Sequence, residues 1–235
     1  MQYFGGKARI GKHIANVINT YIKNNNVTFI SPFVGGGYVE CRINSNNKLL
    51  CDKHTYLIEM YKALRQGWIP PTIISKEEYE YIKNHKNEKP YLTGFVGFGC
   101  SYSGKWFGGY AKNKSQRNYC LNAHNSIMKK INSLYNAEFK CCDYKELKPK
   151  GSIIYCDPPY KGTTQYDKSI VGKFNTEEFW DIMRKWSKNN KVFISEYEAP
   201  DDFKCIWSKE TKLDIRDKNN MKQKRVEKLF TYKNQ

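Results

Sequence analysis

Val27-Thr28-Phe29-Ile30-Ser31-Pro32-Phe33-Val34-Gly35-Gly36-Gly37 decides the fold. Four apolar or β-branched residues form a short buried strand, and Ser31-Pro32 breaks it. Three glycines then allow a tight turn and close backbone approach. A helix through about Asn44 is expected next. A second strand, Lys48-Leu49-Leu50-Cys51, stops at Asp52, and a helix from about Thr55 to Arg65 follows. Strand, glycine turn, helix and strand in that order predict a parallel, doubly wound α/β sheet.

Before this unit, Tyr3-Phe4-Gly5-Gly6-Lys7 is a short arm. It leads into a helix with Ile10, Ile14, Val17, Ile18, Tyr21 and Ile22 at helical spacing. After it the pattern changes. Ser75 with Glu78 reads as a capping box. Gly94 to Tyr110 carries too many glycines for a helix or a plain strand, which predicts a long aromatic loop. A helix from Ser115 then places Tyr119, Ala123, Ile127, Ile131 and Leu134 on one face. Residues 66–135 therefore read as a mainly helical insertion into a core formed by 1–65 and 136–235. The sheet resumes with Ala137 to Cys142, ending at Asp143-Tyr144, and with Ser152 to Cys156, ending at Asp157-Pro158-Pro159-Tyr160. An amphipathic helix over 176–188, a strand at Val192 to Ser195 and a closing antiparallel hairpin, about 203–213 with 226–232, complete the chain.

Forty Lys and Arg against 23 Asp and Glu leave a formal charge of +17, more than solubility requires, and predict attraction to a polyanion. Aromatics make up 15% of the chain, which suits a protein that grips phosphates and stacks bases. The eight cysteines show no C-x-x-C pair and no small secreted framework, and the four histidines are scattered. No metal site is expected. No apolar run reaches the roughly 18 residues of a membrane span, and no signal peptide opens the chain, so a reduced, cytoplasmic protein is expected.

Ser31 to Gly37, Asp52, Asp143-Tyr144 and Asp157 to Tyr160 all fall at the ends of parallel strands, where open α/β sheets bind ligands. An acid about fifteen residues after a glycine turn can accept both ribose hydroxyls, near the roughly 20-residue spacing of nucleoside-binding folds. The G-x-G-x-x-G of dinucleotide sites and the G-x-x-x-x-G-K-[ST] of triphosphate sites are both absent. A nucleoside without a phosphate chain remains, and S-adenosylmethionine fits that description. Asp157-Pro158-Pro159-Tyr160 is by itself readable as a rigid turn; beside a nucleoside pocket it reads as a site.

Taken in order, Tyr3 to Lys7, Pro32 to Gly37, Asp52, Asp143-Tyr144 and Asp157 to Tyr160 resemble the Dam-type (DNA adenine methylase) N6-adenine DNA methyltransferases, over roughly 1–65 and 136–232. The resemblance implies a Rossmann-like S-adenosylmethionine-dependent fold whose insertion, 66–135, recognises the DNA target. It places Tyr3 and Lys7 over the cofactor, with Lys7 near its carboxylate. Pro32, Phe33, Gly35, Gly36 and Gly37 would lie against its methionine portion, Asp52 on its ribose, and Asp143 and Tyr144 beside its adenine. Ser31 stands where many relatives carry an acid. Asp157 and the Pro158 carbonyl would accept the two N6 hydrogens of a flipped adenine, with Pro159 stiffening the loop and Tyr160 stacking on the base. Lys105, Trp106, Arg117, Lys222, Lys224 and Arg225, in two basic or aromatic segments, are candidate contacts to double-stranded DNA, and each also reads as an ordinary surface residue. Cytosine-N4 or RNA adenine methylation uses similar chemistry, and a non-catalytic DNA-binding protein on the same scaffold is the alternative from another class.

Overall fold

The run Thr28–Ser31 is β1, an interior strand of a seven-stranded sheet in a computed structural model of the chain. The structure describes residues 1–112, 117–160, 172, 174–216 and 222–234, with backbone alone at 212–216 and 222–224. β1 pairs in parallel with β2 (Asn47–Asp52) on one side and β4 (Ile153–Cys156) on the other. β3 (Glu138–Cys141) lies parallel beyond β2, and β5 (Lys191–Glu196) parallel beyond β4. β7 (Lys222–Tyr232) adds antiparallel to β5, and β6 (Phe203–Arg216) closes the edge, giving the order β3-β2-β1-β4-β5-β7-β6. This is the doubly wound sheet with a closing hairpin that the sequence predicts.

Strand side chains alternate between two buried layers because successive residues point to opposite faces. Phe29, Leu50, Tyr155 and Phe193 join one core; Ile30, Cys51, Ile154, Cys156 and Ile194 join the other. Both faces of the parallel part are covered, as such sheets require. The first core packs α1 (Gly11–Asn19) and α2 (Thr55–Arg65), and the second packs α6 (Thr176–Ser187) through Phe179, Met183 and Trp186. Strand order reverses between β1 and β4, and the crevice at their carboxyl ends is where such sheets bind ligands.

Two expectations fail. The helix expected after Gly37 is only a three-residue 3₁₀ turn, Glu40–Arg42. Gly35 and Gly37 take left-handed φ values of 45° and 64°, and the backbone is extended again at Ile43. The turn consumes the length a helix needs.

The second failure lies in the glycine-rich segment, where Pro90–Gly99 is a helix, α4, with Pro90 pre-set for its first turn. A methyl group on Gly94 would sit 2.0 Å from the Tyr56 carbonyl oxygen of α2. One on Gly97 would sit 2.3 Å from the Trp106 ring, and one on Gly99 2.8 Å from the Ala123 methyl of α5 (Tyr119–Ile131). Each glycine costs about 1 kcal/mol of helix propensity relative to alanine. Overpacking costs about 1–3 kcal/mol per site, so close approach wins. Together with α3 (Lys76–Asn84), which begins at the expected Ser75–Glu78 capping box, these helices fall within 66–135. Phe95, Phe98, Ile127 and Leu134 from this stretch share one buried cluster with Ile14 and Phe29.

Replacing Gly94 by alanine is expected to lower stability by about 1–3 kcal/mol and the melting midpoint by a few degrees. Thermal and urea unfolding check this; an unchanged midpoint would refute the close-packing account.

Candidate active site

The loops that leave β1, β2, β3 and β4 wall one cleft of about 1100 Å³, counting its open mouth. Tyr3, Lys7, Pro32, Phe33, Gly35, Gly36, Gly37, Asp52, Asp143, Tyr144 and Asp157 all line it, together with Pro159. Every residue that the sequence assigns to the cofactor therefore faces the same space.

The glycine turn is held from beneath. Val34 N–H donates to the Cys51 carbonyl at 2.8 Å, and the Tyr61 hydroxyl donates to the Gly35 carbonyl at 2.9 Å. Buried Lys130, from α5, donates to the Gly36 carbonyl and lies 4.0 Å from the centre of the Tyr38 ring. Burial lowers the Lys130 pKa to about 8. A methyl group on Gly36 would meet the Tyr38 ring at 2.6 Å, so this turn packs as tightly below as it opens above.

Asp52 caps the next loop. Its two oxygens accept from Gly35 N–H at 3.1 Å and His54 N–H at 3.0 Å. Burial nevertheless raises its pKa to about 6. Two neutral donors leave lone pairs over, which ribose hydroxyls can fill. At the end of β3, Asp143 caps a short turn through Lys145 N–H and pairs with Lys53 at 3.0 Å. Burial opposes its charge, but these donors prevail and its pKa is lowered. Tyr144 packs against Phe33, Phe174 and Phe179. Among the described residues its buried hydroxyl has no hydrogen-bond partner. An aromatic slot with spare polar capacity fits the adenosine of S-adenosylmethionine.

At the end of β4, the Lys7 ammonium lies 2.7 Å from Asp157 Oδ1 and 4.5 Å from the centre of the Tyr160 ring. Burial raises the Asp157 pKa, and Lys7 opposes that rise. For Lys7, burial is outweighed by Asp157 and Glu227, and its pKa is raised. Tyr160 is buried, and its hydroxyl donates to Glu227 at 3.1 Å. Its ring meets Tyr197 edge-on at 4.6 Å, and Arg225 donates to the Tyr197 hydroxyl at 2.9 Å. Pro158 is buried too, and neither it nor Tyr160 lines the cleft.

A family model described as D12 class N6 adenine-specific DNA methyltransferase matches residues 3–102 and 101–221. The chain belongs to that family. It is 24% identical over 225 residues to the DNA adenine methylase of Haemophilus influenzae, covering 83% of this chain and 77% of that one. It is 23% identical over 193 residues to the type II methyltransferase M.FokI of Planomicrobium okeanokoites, covering 70% of this chain and 29% of that one. Among solved structures, the rRNA methyltransferase aviRa from Streptomyces viridochromogenes aligns at a TM-score of 0.45 with 10% identity, over 98% of this chain and 86% of that one.

In this D12-class enzyme the DNA-contact candidates Lys105, Trp106, Arg117 and Arg225 do not line the cleft. Lys105 is exposed, with its ammonium 5.0 Å from the Phe4 ring centre. Trp106 is half-buried among His54, Tyr56 and Phe98 and packs the core edge. Arg117 is exposed beside Tyr119. Arg225 connects to the Asp157 loop through Tyr197. The side chains of Arg216, Lys222 and Lys224, and all of Lys218, lie outside the described residues. Among the described residues, no helix is long and apolar enough to cross a membrane, and no three His, Cys, Asp or Glu side chains are grouped to hold a metal ion.

Sequence reading missed Glu40, Lys130 and Glu227. Glu40 lines the cleft almost fully buried, accepting from the Ser31 hydroxyl at 2.8 Å and Val39 N–H at 3.2 Å. Burial raises its pKa to about 7. An acid three residues past a glycine turn looks like ordinary surface, and only the fold brings it under Ser31.

Burial thus holds Asp52 and Glu40 above their ordinary 3.8 and 4.5. The fold favours their protonated forms, so the stability those forms contribute is present at low pH and lost as pH rises through about 6 and 7. The stability of Glu40→Gln relative to the unsubstituted protein should rise between pH 4.5 and 7 and then level off. Urea unfolding of the ligand-free proteins checks this; a gap that shrinks with pH would contradict it.

Proposed function

We propose that the target adenine enters at the end of β4 while S-adenosylmethionine lies along the ends of β1, β2 and β3. One observation carries this reading: Asp157, on the rigid end of β4, opens onto the same cleft as the glycine turn and Asp52. Bound S-adenosylmethionine supplies an activated methyl group on a sulfonium. Asp52 receives the ribose hydroxyls, Asp143, Tyr144 and the Phe33 ring packed on it border the adenine, and the glycines lie against the methionine portion. Tyr3 covers the cofactor from the N-terminal arm.

Adenine N6 is a poor nucleophile because its lone pair is delocalised into the ring. A carboxylate and a backbone carbonyl that accept its two hydrogens favour the pyramidal form, in which that pair is available. Asp157 and the Pro158 carbonyl are these acceptors, held in place by two prolines with fixed φ. Lys7 keeps Asp157 ionised in a site whose burial favours the neutral acid. Because Tyr160 is buried and does not line the cleft, its ring steadies Lys7 and its hydroxyl holds Glu227 at this loop. A stacked base in a duplex cannot reach this cleft, so the adenine flips out. Residues 66–135 and the β6–β7 hairpin flank the entry and read the DNA, with Arg225 as a phosphate contact beside the site.

Parallel incubations of labelled S-adenosylmethionine with unmethylated genomic DNA and with total RNA should yield N6-methyladenine in the DNA digest; label in N4-methylcytosine, or in RNA alone, would refute the substrate. Asp157→Asn should reduce kcat by about 10²–10³ with cofactor affinity changed only a few-fold. Full turnover by that variant would remove Asp157 from its role. Lys7→Met should move the acid limb of the kcat–pH profile to higher pH, because Asp157 loses the charge that opposes protonation.

A further inference from the structure

Among the described residues, four carboxylates line the cleft: Glu40, Asp52, Asp143 and Asp157. Two have cations of their own, since Asp143 pairs with Lys53 at 3.0 Å and Asp157 with Lys7 at 2.7 Å. The other two accept only from neutral groups among the described residues. Asp52 takes two backbone N–H donors, and Glu40 takes one backbone N–H and one serine hydroxyl. Asp52 is accounted for by the ribose. Glu40 is not accounted for by any step above.

Its position is specific. Ser31 ends β1, and its hydroxyl fixes one Glu40 oxygen at 2.8 Å. Glu40 is therefore one strand over from Asp52, on the side toward β4, and close enough to Asp157 for the two charges to repel. Each oxygen accepts one hydrogen bond and retains further acceptor capacity. A buried carboxylate is costly unless a cation neutralises it. The ligand proposed for this cleft carries a cation at the end away from its nucleoside, the α-ammonium of its methionine. We infer that Glu40 is the anchor for that ammonium, with Ser31 as the positioning residue that aims its carboxylate. This rests on the cofactor placement proposed above and adds a residue to it. The pKa near 7 agrees: this acid is poised to ionise when a cation arrives.

The test separates the amino-acid end of the ligand from its nucleoside end. S-Adenosylhomocysteine keeps the ammonium; 5′-methylthioadenosine has no amino-acid end. Calorimetry on Glu40→Gln, which keeps size and one of the two accepted hydrogen bonds but not charge, should show S-adenosylhomocysteine binding weakened about tenfold to a hundredfold. Binding of 5′-methylthioadenosine should change by less than about twofold on the same scale. Asp52→Asn should weaken both ligands alike. If Glu40→Gln weakens both equally, or neither, the ammonium anchor is wrong, while a normal Asp52→Asn result would leave the cofactor placement standing. If Asp52→Asn leaves both ligands unchanged, the placement itself falls, and this inference with it. Urea unfolding of Glu40→Gln confirms that the variant compared is folded.

Discussion

The contact between Lys7 and Asp157 holds the site together. Both side chains are largely removed from water, and each makes the other's charge tolerable. Breaking a buried pair from one side costs about 3–5 kcal/mol, because the remaining charge stays buried. The pair also has a geometric consequence. Lys7 sits on an N-terminal arm with no strand of its own, and Asp157 sits at the end of β4. Phe4 N–H donates to the Gly104 carbonyl at 3.0 Å, and the Tyr3 ring lies 4.7 Å from that of Phe98. Arm, central sheet and helical region 66–135 therefore converge on one carboxylate.

That convergence explains why the helical region is so tightly joined to the sheet. Gly94, Gly97 and Gly99 let α4 approach α2, the Trp106 ring and α5 more closely than any side chain allows. Through α5, Lys130 reaches the Gly36 carbonyl, so the floor of the cleft is partly built by residues far along the chain. The helical region 66–135 thereby supports the glycine turn through packed structure, and any displacement of α5 is felt at that turn.

Much of this was legible beforehand, for local reasons. The alternating strand residues, the Thr55–Arg65 helix bounds, the Ser75 capping box and the acids at strand ends all depend on neighbours within a few positions. The misreadings share the opposite property. Gly94 to Gly99 have poor helix propensity locally, and only their contacts with α2 and α5 make helix the better choice. Glu40 acquires meaning from Ser31, Lys130 from Gly36 and Glu227 from Tyr160, each pairing visible only once the chain has folded. The short segment after Gly37 looked helical because its composition permits helix, while the loop geometry leaves it no room.

The distribution of charge resolves an apparent conflict. The chain carries +17 overall, yet four carboxylates among the described residues line the cleft. The two substrates differ in the same way: DNA is a polyanion, and the methyl donor bears a sulfonium and an ammonium. A uniformly basic protein would repel that donor, and a uniformly acidic one would repel DNA. Placing these acids in the cleft, where burial strengthens their fields, lets it attract the donor while the net positive charge of the whole chain attracts DNA. Asp157 lies at the boundary, and Lys7 is the cation that lets it belong to both sides.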